Sequence, residues 1–412
     1  MNCYLKSDIL YQGYLETKIK ESLAIIDLGY NSIKVSIYDI YKNGHYKKRF
    51  QKQEYVQIGH ELNKNNNQIP ESNIGRTAKA VEIFKKELKN EGVDSLIPIA
   101  TSAVRDASNQ KFVVEELRRQ TGISFNILSG PEEGFFSYLG AQSYIHVPHG
   151  FFFDLGGGSL ELMHVVDFKI VKTLCLDLGV LRLSDNNVVY NNRRDDVDGS
   201  NSRINYENLE SFLYRTIPSM SQLGLSGVKD LKLVSIGGTV RTLYKFVSRM
   251  FELPVSYSHQ NMVLNKRMMH LTNKFLGQLS LDELSNLKLI EKQRSKTITV
   301  GSFVVKILME KMKFDSLLIC PTGLREGVLE HYLYFKMDKQ YRKRKKFVEI
   351  NSEPLFVIEN NGNNTSKTNN EVSIKSSEYA DLFNKGKSSS LLESNTFAFP
   401  RKLTSFKINR LI

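Results

Sequence analysis

FFFDLGGGSLEL (residues 151–162) is an apolar, strand-like run that ends in an aspartate, crosses three glycines and a serine, and then resumes its apolar character. A second stretch, LAIIDLGYNSIKVSI (23–37), has the same frame: Asp-Leu-Gly-x-x-Ser stands at Asp27 to Ser32 and again at Asp154 to Ser159, 127 residues apart. Ile33, Val35 and Ile37 alternate after the first, and Leu160 and Leu162 continue the second. Each therefore reads as strand, tight turn, strand. A Rossmann loop needs G-x-G-x-x-G opening a helix, and β-type residues follow the glycines here. The repetition points to a duplicated α/β domain. LCLDLGVLRLSD (174–185) carries a third Asp-Leu-Gly, but Val180 and Leu181 replace the small polar residues, so it reads as an ordinary strand-to-loop step.

At 412 residues the chain exceeds the usual single-domain size, which favours two domains. With 41% hydrophobic and 25% charged residues it has a globular composition, and no apolar run approaches the ~18 residues of a membrane helix. The start MNCYLKSDILYQGYLETKIK has no basic-then-apolar pattern, and Cys3, Cys175 and Cys320 have neither ligand-like nor framework-like spacing. A reducing cytoplasm is the expected location, without structural zinc or disulfides. The net charge of +13 is uneven: residues 336–412 hold 15 Lys+Arg against 8 Asp+Glu, and the other 335 residues hold 42 against 36. That distribution argues against a specific nucleic-acid partner. The tail contains RKRKK (342–346) and the polar stretches NNGNNTSKTNNE and KGKSSS, a composition expected to stay disordered. RKRKK itself reads as a solvated helix extension or a polyanion contact.

Between the repeats, residues 75–90 have helical periodicity, SLIPIA (95–100) is a short strand and SNQKFVVEELRRQTG (108–122) a helix ended by Gly122. A strand at FNILSG leads into the helix that PEEGFFSYLGA begins. Beyond the second repeat come a polar insertion (191–205) and two strand, glycine-turn, helix units at 231–246 and 316–333. This alternation is that of α/β domains. The expected division is an N-terminal extension (1–20), a first domain (21–147), a second (148–335) and the basic tail (336–412).

Glycine turns let backbone N–H groups close on phosphate oxygens as anion-binding nests. Gly29, Asn31 and Ser32 in the first turn and Gly156, Gly157, Gly158 and Ser159 in the second are the candidates, with Gly237, Gly238 and Thr239 of SIGGT as a third nest. A plain Gly-rich hairpin or strand-to-helix turn accounts for any one of these alone. Asp27 and Asp154 beside the nests suit Mg²⁺, or Mn²⁺, which takes carboxylate and phosphate oxygens. In ILSGPEEGFF, Ser129 and Glu132 have capping-box spacing with Pro131 in the first turn. Glu133 is left without a structural task, open to service as a general base or as a surface charge. Arg105, after a strand running into Thr101 or Ser102, is placed either for phosphate or for a local pair with Asp106. The eight histidines form no HxH or HxxxH cluster.

Together AIIDLGYNS, IATSAVRDA, ILSGPEEG, FFFDLGGGSLEL, LDLGVLRL, SIGGTVRTL and PTGLREG resemble, in order, the exopolyphosphatase and guanosine pentaphosphate phosphatase family. The resemblance spans roughly residues 22–335. It implies two similar actin-like (ribonuclease H-like) α/β domains around a cleft. It also implies Glu133 as catalytic base, Asp154 and Glu161 at metal and water, and a phosphate path lined by Asn31, Ser32, Arg105, Gly157, Gly158 and Ser159. The family usually carries Ser where this chain has Tyr30 and Thr where it has Leu160, both in expected phosphate turns. The tail is too short for the C-terminal helical domain of long members, which implies a short form. The implied activity is Mg²⁺-dependent removal of terminal phosphate from inorganic polyphosphate or guanosine pentaphosphate by direct attack of water. A weakly catalytic sensor of nucleotide or polyphosphate is the alternative, and a homodimer is left open.

Overall fold

The first repeat folds as a hairpin of β1 (Ile19–Leu28) and β2 (Ile33–Tyr41), extended antiparallel by β3 (Tyr46–Glu54). Helix α1 (Glu71–Asn90) crosses over to β4 (Ser95–Ala100), parallel to β1. A single turn α2 (Ser102–Arg105) and α3 (Gln110–Thr121), ended by Gly122 at φ 71°, lead to the short β5 (Asn126–Ile127). After α4 (Gly130–Gln142) the pattern recurs as β6 (Gly150–Leu155), β7 (Leu160–Val166) and β8 (Lys169–Leu176). Next come α5 (Val180–Ser184), α6 (Tyr206–Thr216), β9 (Lys232–Ile236), α7 (Gly238–Met250) and β10 (Val263–Asn265). The order closes with α8 (Lys266–Gln278), α9 (Leu281–Asn286), α10 (Ser295–Lys311), β11 (Ser316–Ile319) and α11 (Leu324–Lys336). This computed structural model describes residues 18–62, 65–185, 206–223, 231–252, 262–287 and 290–336, with two short paired strands at Phe356–Val357 and Phe406–Lys407. The expected insertion at 191–205, most of the N-terminal extension, RKRKK and nearly all of the basic tail lie outside the described residues.

The sheets run β3-β2-β1-β4-β5 and β10-β11-β9-β6-β7-β8. Taken in reverse, β8-β7-β6-β9-β11 repeats the first order, with β10 added antiparallel at the edge. The duplicated α/β domain expected from the repeat is therefore present, in the two-domain form around a cleft that the resemblance implies. β1 is central and buried on both faces, as its unbroken LAIIDL run requires. The alternation of Ile33, Val35 and Ile37 would leave the other face of β2 half exposed. Ser36, Tyr38 and Ile40 are buried nonetheless, because α11 covers that face. Val328, Leu329, Tyr332 and Leu333 of α11 share one core with Leu23, Ile25, Tyr38 and Ile97. α4 gives Phe136 to that core and Tyr138 and Ala141 to a second one against Phe152 and Met163 of β6 and β7. Among the described residues no helix is long and apolar enough to cross a membrane.

α4 and α11 cross backbone to backbone. A Cβ at Gly327 would lie 1.7 Å from Phe136 O, and one at Gly140 would lie 2.0 Å from Gly323 O. At the far end of α11, Lys336 Nζ donates to both oxygens of Glu21 (2.9 and 2.7 Å), which also accepts from Tyr332 Oη at 2.6 Å and Ser95 Oγ at 2.8 Å. Burial by itself would raise the Glu21 carboxyl, but Lys336, Tyr332 and Ser95 outweigh it and hold the group below 4.5.

Gly327→Ala is expected to cost about 3 kcal/mol or more in urea unfolding, since neither backbone can yield to the methyl group. Gly75→Ala, mid-helix in α1 with nothing within 4 Å of a new Cβ, should instead gain about 0.5–1 kcal/mol. Glu21→Gln should cost about 1–3 kcal/mol at neutral pH. A depressed folded pKa contributes stability above the unfolded value that is lost as pH falls through the folded one. The gap between Glu21→Gln and parent should therefore shrink below pH 4.5 and vanish in stronger acid.

Candidate active site

Both repeats end a central strand in aspartate and close the following turn with the same backbone bond. Gly29 N donates to Ser32 O at 3.1 Å, and Gly156 N to Ser159 O at 3.0 Å. The ladders match as well, pairing Asp27 with Lys34 and Asp154 with Glu161. Asp27, Gly29, Asn31 and Ser32 line a cleft of about 290 Å³, which Asp154, Gly156 and Gly157 line with them. The β9–α7 turn completes it with Gly237, Gly238 and Thr239. Gly237 is at φ 103°, and a Cβ there would lie 2.6 Å from Asp154 Oδ1, so only glycine fits. Gly158 and Ser159 lie behind this lining. Gly158 is wedged against Tyr30 and Ser102, and Ser159 Oγ accepts from Arg105 Nη2 at 3.5 Å.

The third Asp-Leu-Gly corrects the reading given to it. It is a strand-to-helix step that props the second turn: Val180 N and Leu181 N donate to Gly156 O and Gly157 O at 3.1 and 2.9 Å. A Cβ at Gly179 would lie 2.2 Å from Gly158 C. Val180 anchors this step in the core that holds Phe153, Leu155 and Leu183, which is why apolar residues follow the glycine. α2 also differs from expectation. Thr101 makes no side-chain cap and the helix is four residues long, too short for its N-terminus to count as an anion site.

Glu133 and Asp154 line the cleft, and the fully buried Glu161 lies behind that lining. Asp154 is half-buried and accepts from Ser137 Oγ at 2.6 Å; desolvation raises its carboxyl despite that bond. Glu161 is fully buried, its Oε1 accepting from Cys175 Sγ at 3.3 Å while Oε2 has no protein partner. Burial, then the nearby Glu133, pushes it well above the carboxylate range. The capping box forms as the S-x-x-E spacing implies: Ser129 N donates to Glu132 Oε2 at 2.7 Å and Glu132 N to Ser129 Oγ at 3.4 Å. Glu133, one residue on, lines the cleft and accepts from Arg105 Nη1 at 2.6 Å. Burial raises it too, against the pull of Arg105. Arg105 further donates to Leu128 O (3.2 Å) and Asp106 Oδ1 (3.3 Å) and stands 3.9 Å from Glu161. The local pair with Asp106 is therefore present, while Arg105 stands behind the residues that line the cleft. Two buried glutamates share this one guanidinium, which favours a proton on one of them.

Five cations line the cleft that sequence reasoning did not single out: Lys34, Lys48, Arg241, Arg294 and Arg325. Burial lowers the Lys34 ammonium to about 8, with Asp27 opposing. Arg241 donates to Pro321 O at 3.3 Å, and Arg325 Nη1 is buried without a protein partner. The repeat held a signal for Lys34, which follows Asp27 by seven residues as Glu161 follows Asp154. Arg241 and Arg325 stand inside SIGGTVRTL and PTGLREG, segments read for their glycines.

Tyr30, which stands where the family usually carries serine, packs inward. Its ring, 3% exposed, fills the gap between Gly59 and Gly158, with the Arg182 guanidinium 5.8 Å from its centre. Leu160 is fully buried in the same core as Val180 and Phe153.

The sequence model of the Ppx/GppA phosphatase family matches residues 37–334. The chain belongs to that family. It is a Ppx/GppA hydrolase acting on phosphoanhydride bonds, as the seven ordered motifs implied. Exopolyphosphatase 1 of Mycobacterium leprae is 25% identical over 309 residues, covering 74% of this chain and 88% of the relative. The same enzyme of Mycobacterium tuberculosis is 25% identical over 311 residues, 74% of this chain and 87% of the relative. Two solved structures share the fold. An exopolyphosphatase from Cytophaga hutchinsonii superposes with a TM-score of 0.66 at 20% identity, covering 76% of this chain and 98% of that one. The Aquifex aeolicus PPX-GPPA enzyme gives 0.59 at 23% identity, covering 75% and 99%.

In this Ppx/GppA chain Tyr30→Ser should cost about 2–4 kcal/mol in denaturant unfolding, because it empties a packed space between the turns. A neutral result would mean that the ring is not wedged there. Glu132→Ala should cost about 0.5–2 kcal/mol through its lost cap and leave catalytic turnover within a few-fold of the parent.

Proposed function

We propose that the protein is a Mg²⁺-dependent exophosphatase that removes the terminal phosphate of inorganic polyphosphate by direct attack of water. The observation that carries this reading is the convergence of five cations and two aspartate-bearing turns on one cleft. A phosphate chain bears a negative charge on every unit, and a narrow cationic cleft concentrates such a ligand. The exopolyphosphatase names of the mycobacterial relatives support the same substrate.

The residues fit a divalent cation. Among the described residues no three His, Cys, Asp or Glu side chains converge as a protein cage. Mg²⁺ does not need one, since it is usually bound by one or two carboxylates together with phosphate oxygens and water. Asp154 and Glu161 are the better pair, side by side on adjacent strands with Glu161 Oε2 buried and unpartnered. Asp27 already faces Lys34. The ion would supply neutralisation of charge on the reacting phosphate. Glu133 takes the proton of the attacking water on Oε1, Oε2 being held by Arg105; its raised pKa suits a base working near neutrality. Lys34, Arg241 and Arg325 hold the chain behind the terminal phosphate, so that catalysis is positioning plus charge stabilisation.

The deciding assay is phosphate release from long-chain polyphosphate and from guanosine pentaphosphate, each with Mg²⁺ and with chelator. Release from polyphosphate that chelator abolishes and Mg²⁺ or Mn²⁺ restores is expected; release only from guanosine pentaphosphate would overturn the substrate assignment. Glu133→Gln should lower kcat by about 10²–10⁴ while polyphosphate still binds within a few-fold of the parent. A large loss of binding with kcat retained would remove Glu133 from the role of base.

A further inference from the structure

We propose that Arg182, on α5 of the second domain, is a positioning residue for Arg105 of the first and acts through Asp106. The inference rests on the hydrolytic reading of the cleft. Arg182 Nη2 donates to Asp106 Oδ2, and its Nη1 stands 3.1 Å from Asp177 Oδ1. The other oxygen of Asp106, Oδ1, accepts from Arg105 Nε at 3.3 Å. One carboxylate is thus shared by two guanidiniums, one from each domain. The side chains are 12% exposed for Arg182, 26% for Asp106 and 15% for Arg105, so the chain of contacts is largely shielded from water and weakly screened.

Arg182 also reaches the cleft from its other end. Its backbone N donates to Gly157 O at 3.1 Å, and its guanidinium lies over the Tyr30 ring. A single residue therefore holds the second phosphate turn by its main chain and the Asp106–Arg105 pair by its side chain. The charges explain why this matters. Arg105 faces Glu133, Glu161 and Asp106 together. With Arg182 in place Asp106 has a cation of its own, and the Arg105 fork stays turned to Glu133. Without Arg182, Asp106 competes for Arg105 and draws the fork from the position in which it holds Glu133.

Two measurements on the full-length chain test this. Steady-state phosphate release from long-chain polyphosphate is read for Arg182→Ala, Asp106→Asn, the double variant and Arg182→Lys, with urea unfolding to confirm that each is folded. Arg182→Ala should lower kcat about tenfold to a hundredfold, as a small misplacement of a catalytic group does, with KM within about threefold. Arg182→Lys, which keeps a cation on Asp106, should recover part of the loss. Adding Asp106→Asn to Arg182→Ala removes the carboxylate that competes for Arg105 and should therefore recover part of the Arg182→Ala loss rather than add to it. Unchanged kcat in folded Arg182→Ala, or losses that multiply in the double variant, would overturn the proposal. The second readout is the Arg105 Nε–H resonance in arginine-labelled protein, assigned with Arg105→Lys. It should shift in Arg182→Ala and stay near its parent position in Arg182→Lys, and an unmoved resonance would also refute the coupling. If the parent releases phosphate from no phosphoanhydride, the hydrolytic reading fails, and the resonance alone decides whether Arg182 positions Arg105.

Discussion

The contact on which the rest depends is the crossing of α4 and α11, where Gly140 and Gly327 let two helix backbones meet without side chains between them. Each helix serves both halves of the protein. α4 lends side chains to a core on each sheet, and α11 follows β11 of the second sheet yet buries its apolar face on the first. The separation of the sheets is therefore set by backbone contact, which is far stiffer than an interface of flexible side chains. Fixing that separation fixes how far Asp27 stands from Asp154. α4 also starts at the capping box that directs Glu133 into the cleft, so the element that joins the domains carries the proposed base.

Duplication of a strand–turn–strand unit would by itself give a symmetric cleft, with two acids and two turns. The symmetry is broken seven residues after each aspartate, by Lys34 in one half and Glu161 in the other. One half then presents an acid beside a lysine and the other two neighbouring acids. Under the proposed reading the first suits phosphate oxygens and the second a cation, so that one inherited geometry would provide both halves of a metal–phosphate site. The three arginines from α7, α11 and the turn before α10 add charge from the second domain alone.

What was legible in the sequence is what local patterning encodes. The repeated DLGxxS gave the two hairpins, the S-x-x-E spacing gave the cap that separates Glu132 from Glu133, and strand–helix alternation gave the sheets. What was not legible depends on long-range packing. The burial of Ser36 and Tyr38 on β2 needs α11, nearly 300 positions away in the chain. The propping role of Gly179 appears only when β8 and α5 are folded onto Gly157 and Gly158. Tyr30 has small and polar sequence neighbours, which say nothing of its packing, whereas its neighbours in the fold, Gly59, Gly158 and Arg182, come from three other segments. The cationic lining was hidden for the same reason, five residues from five elements converging only in the folded chain.

The raised carboxyls and the crowded cations of the cleft are two sides of one electrostatic arrangement. Asp154, Glu133 and Glu161 are all pushed upward by burial, while Lys34 and Arg241 are pushed downward by the same desolvation. Each set would be relieved by a ligand of the opposite sign. A polyanion entering without a cation meets the buried acids, and a divalent cation entering without a polyanion meets the guanidinium groups. Under the proposed reading the two ligands therefore favour one another, and by linkage each must raise the affinity for the other by the same factor. Such coupling would tie the ionised form of these acids to the loaded cleft.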